Sequence, residues 1–430
     1  MKSIITYGSL FSVLLFSTLT SLAQTELWGT TRWGGTNGYG TVSKTSGYGQ
    51  YPESVYSFTG GVDGGDPAGG LLLASNGKLY GMAGIGGQYG FGVLYEVDPN
   101  TNSFSKLIDF DSVNTGKTPW STLMQAGNGK LYGLTGYGGT HNLGVLFEYD
   151  IAGNTITKRF DFDGSANGAG PTVENMIEAS NGKLYGMTPG GGSHNNGVIF
   201  EYDYNSNTYT KKADFLSQPA GTGAAEALVE VSPGTFYGVG SWGGPGADGM
   251  VFSFDLASGV ITEQLDFDFG VIGSHPQGIM MASNGKMYAL CHSGGIGYMG
   301  TMVEYDPVSN QFTNIIDFGT LDTGAIYSTE PYGVPMQATN GNIYALTAYG
   351  GTGGTLFEYD ITNDLYRIRA DYGTIGLDEP KFEHLVEVNS TTRSQVWPGD
   401  CNFDMTVETM IFFISAWRGM TWGLLVPAPH

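Results

Sequence analysis

The sequence predicts an all-β fold, a seven-bladed β-propeller of four-stranded blades closed by a C-terminal strand. Three observations predict it. The first is a motif of the form Leu-Tyr-Gly that returns at Leu79-Tyr80-Gly81, Leu131-Tyr132-Gly133 and Leu184-Tyr185-Gly186, then as Phe236-Tyr237-Gly238, Met287-Tyr288-Ala289 and Ile343-Tyr344-Ala345. A seventh copy, Leu27-Trp28-Gly29, lies near the start, and successive aromatic positions differ by 52, 52, 53, 52, 51 and 56 residues, a period of propellers and solenoids. The second is composition: 70 glycines and 13% aromatic residues against 13% charged ones describe short strands joined by tight turns. The third is that the first and last copies of the repeat are each incomplete, which supports closure into a ring.

Each repeat divides into four strands. An apolar run such as 70–74 is followed by Ser75-Asn76-Gly77-Lys78 and a second run from Leu79 to Met82. Asn-Gly between short apolar runs predicts a hairpin with a type I′ turn. The pair recurs at Asn128-Gly129, Asn181-Gly182, Asn284-Gly285 and Asn340-Gly341, with Pro233-Gly234 once in its place. The second strand ends in a glycine pair, Gly86-Gly87 and its six counterparts. A third strand such as 144–149 closes at an Asp-x-x-x-Asn turn, where the carboxylate can accept local N–H bonds. The fourth ends at Asp-Phe, as at Asp109-Phe110, Asp161-Phe162 and Asp214-Phe215.

The opening copy starts at its second strand and lacks a first. The segment Phe382–Val388 (FEHLVEV) follows the last full copy with no second strand after it, and it resembles the first strand at 226–231. Residues 382–388 are therefore expected to complete the blade begun at Leu27, leaving no free sheet edge.

At the N-terminus, Lys2, an apolar run over 10–19 and Ser21-Leu22-Ala23 have the form of a secretory signal over residues 1–23, with Gln24 the first mature residue. The propeller is expected over 24–388, a linker and tail over 389–430, and the protein outside the cell or on its surface. No run is long enough to span a membrane. The net charge of −22 repels phosphate backbones and argues against nucleic acid. Cys291 and Cys401 are too few for a disulfide framework. A monomer is expected.

The phrase Ser-Asn-Gly-Lys-Leu-Tyr-Gly-Met-Thr followed by a glycine pair and Gly-Val-Leu-Phe-Glu-Tyr-Asp resembles the GloVer repeat of exported bacterial proteins, over roughly residues 26–388. The glycine pair after the second strand is similar to kelch blades. The resemblance implies a secreted or surface-displayed propeller and brings no chemistry with it. In the tail, Asp400, Asn402 and Asp404 resemble positions one, three and five of a dockerin-type calcium loop, with Glu408 nearby. Met405 and Ile411 stand where that loop needs glycine and a final acid, so the tail reads as a degenerate dockerin. No cofactor is required, and calcium at this loop is the one ion the sequence suggests.

Glu96, Glu148, Glu201, Glu304 and Glu358 recur at one place in the repeat, which suits structural duty better than paired catalysis. Positions that break the symmetry carry more. Loops joining strands one to two and three to four share one face and are short and alike, whereas those joining two to three and four to the next one vary. Binding groups concentrate on such loops. The candidate ligand-binding residues are therefore Tyr89, Trp120, His141, His194, Trp242 and Tyr298. They point to a non-enzymatic propeller that binds extracellular glycan or protein. The competing readings are a polysaccharide-acting hydrolase or lyase with its site at the channel mouth, and a structural spacer.

Overall fold

The computed structural model describes residues 24–171, 175–216, 222–320, 328–378 and 384–390. They form seven four-stranded antiparallel sheets arranged as a ring. Blade 2 is typical: Leu72–Leu73, Leu79–Ala83, Val93–Asp98 and Ser103–Asp109 lie side by side in chain order. Blades 3 to 7 repeat this order, ending at Asp161, Asp214, Asp266, Asp317 and Asp371. Blade 1 is assembled from both ends of the ring. Its order is Val386–Ser390, Gln24–Thr31, Thr41–Ser46 and Gln50–Ser57, and Trp28 faces Val386 while Gln24 faces Ser390. The expected closing strand is thus present and runs two residues past Val388; Phe382 itself lies outside the described residues.

Seven apolar clusters, one per pair of neighbouring blades, hold the ring together. In the second strand of blade 2, Leu79 packs toward blade 1 and Tyr80 toward blade 3. Successive side chains of a strand point to opposite faces, and here both faces are covered, which is why the second strands are continuously apolar. The seventh cluster joins blade 7 to blade 1 through Tyr344, Leu346 and Leu356 against Leu27 and Leu385.

The hairpin between strands one and two forms as expected, but its turn is of another type. Only Gly77 has positive φ (79°), whereas type I′ needs it at Asn76 as well. Gly77 N–H donates to the Ala74 carbonyl and Ala74 N–H to the Lys78 carbonyl, a type I turn followed by a left-handed glycine. Asn76 is used differently: its Oδ1 accepts from Lys78 N–H and its amide donates to the Tyr80 hydroxyl.

That hydroxyl leads to the repeated glutamates. Tyr132 donates to Glu148 at 2.8 Å while Lys130 pairs with the other oxygen, and the pattern recurs at Glu96, Glu201 and Glu304. Blade 1 carries the same pair with its charges exchanged, Glu26 against Lys44, both almost wholly buried. Structural duty is thus what these acids perform. On the same face, a glutamate or glutamine of the first strand ties blades 3, 4, 5, 7 and 1 to their predecessors, whereas blades 2 and 6 carry Leu73 and Met281 there. Glu178 accepts from Gly127 N–H, Glu230 from Ser180 N–H and Glu387 from Thr339 N–H, the last at 2.7 Å across the ring closure.

Candidate functional site: the variable face and channel mouth

On the opposite face, the loops between strands two and three share one backbone and differ in side chains. Their third residue is left-handed in six blades: Gly38, Gly90, Asn142, Asn195, Ala247 and Tyr298. The carbonyl of the next residue accepts an N–H from the loop entering the following blade, as in Asp66 to Tyr39, Thr118 to Phe91, His275 to Asp248 and Glu330 to Met299. Each of these donors is itself left-handed and precedes a proline (φ 56°, 57°, 54° and 53°). Non-glycine residues rarely adopt that conformation, and the sites that hold it are often functional. Pro67 and Pro119 lie ahead of the first strands of blades 2 and 3, and Pro276 and Pro331 lie near the start of those of blades 6 and 7 (Ser274–Met281 and Ser328–Gln337), so the four residues stand where the chain enters the strands that line the central channel.

Around that rim the blades differ. Arg32 of blade 1 grips Asp66 through Nε at 2.5 Å and a second nitrogen at 3.1 Å, and its guanidinium lies 4.9 Å from the centre of the Trp120 ring. Trp120 leans on Gly84, where any Cβ would clash with the indole. Across the mouth, His292 meets Glu330 at 3.2 Å and packs on Tyr332. Trp242 meets the His275 ring edge-on at 4.1 Å, and His275 Nδ1 lies 3.0 Å from Ser274 Oγ. Burial pulls the His275 pKa down, partly opposed by Asp248.

Inside the channel, a cavity of about 490 Å³ is lined by Leu72, Leu123, Met124, Met176 and Val334. A chain of hydrogen bonds crosses it. Gly70 N–H donates to Thr122 Oγ1, Thr122 N–H to Asn175 Oδ1, and the Asn175 amide to His384 Nε2, each at 2.8 Å. Blades 4 and 1 are not neighbours, so the last bond spans the channel. Burial drives the His384 pKa down to about 4, which keeps the ring a neutral acceptor.

The structure separates the sequence-predicted residues by role. Tyr89, His141, His194, Trp242 and Tyr298 are exposed on the variable loops. Trp120 is partly buried between blades, with Nε1 out of contact with solvent. His141 and His194 stand in separate loops, and no group of three metal-ligating side chains forms among the described residues. The calcium-loop positions Asp400, Asn402, Asp404 and Glu408 lie outside the described residues, as does Cys401; Cys291 is a buried free thiol. Sequence reasoning missed Arg32, Asp66 and Glu330, whose signal was a charged residue where other blades carry uncharged ones such as Gly84, Ser241 and Ala348, or Thr118.

Fold and face together define a β-propeller with one uniform and one variable side. The chain belongs to the Gloeobacter/Verrucomicrobia repeat family, whose pattern matches residues 16–176, 166–330 and 232–402. No curated protein matches its sequence. Among solved structures it is similar to a protein named as a candidate 6-phosphogluconolactonase from Bacteroides uniformis, at a TM-score of 0.57 and 14% identity, covering 85% of this chain and 99% of that one. It is equally similar to the periplasmic gluconolactonase of Pseudomonas aeruginosa, at a TM-score of 0.57 and 14% identity over 84% and 99% of the two chains. At such identity the likeness shows the fold alone.

Proposed function

We propose that this chain is an exported, non-enzymatic binding propeller whose variable face takes neutral glycans. The observation that carries the reading is where exposed rings lie. Of the ten exposed aromatic side chains among the described residues, eight belong to the variable face: Trp33, Tyr39, Tyr89, Tyr137, Trp242, Phe269, Tyr298 and Tyr349. An aromatic face covers the apolar side of a sugar ring at little entropic cost, while neighbouring amides such as Asn37 and Asn142 offer hydrogen bonds to hydroxyls. The acidic field disfavours anionic polysaccharides. The signal-like N-terminus and the repeat family support export. The test is a glycan array with the purified chain and its Trp33→Ala and Trp242→Ala variants. Binding to neutral glycans should fall in both variants with melting unchanged, and binding that survives both substitutions refutes the reading.

The competing enzymatic reading has one observation in its favour, the His292–Glu330 pair at the mouth, in which a carboxylate could orient an imidazole as a base. Turnover of a neutral polysaccharide that Glu330→Gln abolishes would establish it over simple binding.

A further inference from the structure

One sector of the variable face departs from the others in both charge and polarity. From residue 213 to residue 366 the chain has sixteen Asp and Glu but only one Lys or Arg, Lys286, so 15 of the 22 net negative charges fall there, shared between the two faces, with Asp214, Asp248, Asp266, Asp268, Asp317 and Glu330 on the variable one. Lys286 does not relieve the variable face, because it pairs with Glu304 beside the opposite-face turn.

Within this sector, the loop of blade 6 is the one whose side chains are all apolar or aromatic. At its four positions other blades place Thr36 and Asn37, Gln88 and Tyr89, Thr140 and His141, or Ser193 and His194; blade 6 has Ile296, Gly297, Tyr298 and Met299. Ile296 is 74% exposed and Tyr298 65%. Tyr298 holds the left-handed position that smaller residues fill elsewhere. A bulky residue there costs about 1 kcal/mol or more of backbone strain, and the exposed ring recovers little of it by packing within the fold. Phe269, from the loop entering blade 6, lies 5.7 Å from the Tyr298 ring, and Val271 beside it is also exposed. The loops are joined by the Gly295 N–H bond to the Phe269 carbonyl, so these side chains form one patch. Asp248 and Asp268 border it: Asp248 accepts from Phe269 N–H, and Asp268 from Gly270 N–H.

We propose that this patch, which shares Phe269 and Tyr298 with the exposed rings of the variable face, is a docking surface for a basic, amphipathic segment of a protein partner. An apolar centre with a rim of one sign selects a partner of opposite rim charge, and the field of the sector speeds its approach. Aliphatic and aromatic side chains of the segment cover Ile296, Tyr298, Met299 and Phe269, while its Lys and Arg face Asp248 and Asp268.

The test uses the full chain and three synthetic peptides of about 16 residues, measured by calorimetry. One alternates Lys with Leu on an amphipathic helix, the second replaces each Lys by Glu, and the third is oligolysine of the same charge as the first. The Lys/Leu peptide should bind, more weakly as salt rises, and its affinity should fall at least about tenfold in Ile296→Ser/Tyr298→Ser and in Asp248→Asn/Asp268→Asn. The other two peptides should bind at least about tenfold more weakly. Equal binding of oligolysine would reduce the effect to net charge and overturn the proposal, as would undiminished binding in both double variants. Ile296→Ser/Tyr298→Ser alters exposed loop positions only, and unchanged melting of that variant distinguishes lost docking from lost folding.

Discussion

Blade 5 contains a defect whose repair should stabilise the ring. At the end of the fourth strand, Asp109, Asp161 and Asp214 each accept an N–H from the residue after the glycine pair and pair with a lysine three residues earlier at 2.8 Å. In blade 5 the residue after the pair is Pro245, which has no N–H, and the lysine position is Glu263. Asp266 loses both partners, and its Oδ1 is buried without a hydrogen bond. Burial, then Glu263, Asp248 and Asp268, raise its pKa. A carboxyl with a raised folded-state pKa adds stability only while protonated, so its contribution is present in acid and is lost as pH rises through the folded value. At pH 7 Asp266 therefore works against the fold. Glu263→Lys should restore a partly exposed ion pair and remove a repulsion, a gain of about 1 kcal/mol in all. Pro245→Ser restores the donor, a bond to a charged group of about 1.5 kcal/mol, less about 0.4–1 kcal/mol for the extra freedom of the unfolded chain. Together the gain is about 1.5–2 kcal/mol, or about 2 °C in melting temperature for a chain of this size. Urea unfolding at pH 7 and pH 4 measures it. The double variant should gain more at pH 7 than at pH 4, where Asp266 is closer to its neutral form. No gain at pH 7, or the same gain at both pH values, would refute the argument.

The ring closure should depend on Glu387: its change to Ala removes the acceptor of Thr339 N–H and should cost about 1.5–3 kcal/mol by urea unfolding, whereas deletion of 386–390 should lower the melting temperature of the whole ring. Lys44→Met should cost about 3–5 kcal/mol by leaving Glu26 buried without its cation, and Glu26→Gln/Lys44→Met should recover most of the loss. His384 is neutral in the fold with its pKa near 4 and titrates near 6.5 when unfolded, so stability should fall as pH drops from about 6.5 toward 4, by at most about 3 kcal/mol. His384→Gln should flatten that limb of the stability profile; a profile identical to the parent would remove the channel histidine as its cause.

How far sequence alone could reach is decided by the range over which each feature is written. Strand identity and ring closure are local or periodic: an apolar run, a turn residue and a glycine pair recur every 52 residues or so, and the orphan segment at the end matches the missing first strand at the beginning. The turn type was misread because Asn-Gly permits two hairpins. The side-chain bonds of Asn76 to Tyr80 and Lys78 select the one with a single left-handed residue. The channel mouth was illegible for a different reason. Arg32 and Asp66 are 34 residues apart and His292 and Glu330 are 38 apart, and each pair meets only because one blade's second strand ends beside the loop entering the next. The left-handed backbone of Thr118, His275 and Glu330 runs against the preference of residues that precede proline, and no residue type announces it. It is imposed by the bond each N–H makes to the preceding blade, so it exists only once the ring has formed. The rim is thus built by assembly of the blades, and its chemistry can differ from blade to blade while the backbone stays constant. Asp266 shows the converse. Pro245 and Glu263 stand in plain view in the sequence, and their meaning emerges only when the other blades show what an aspartate at that position needs.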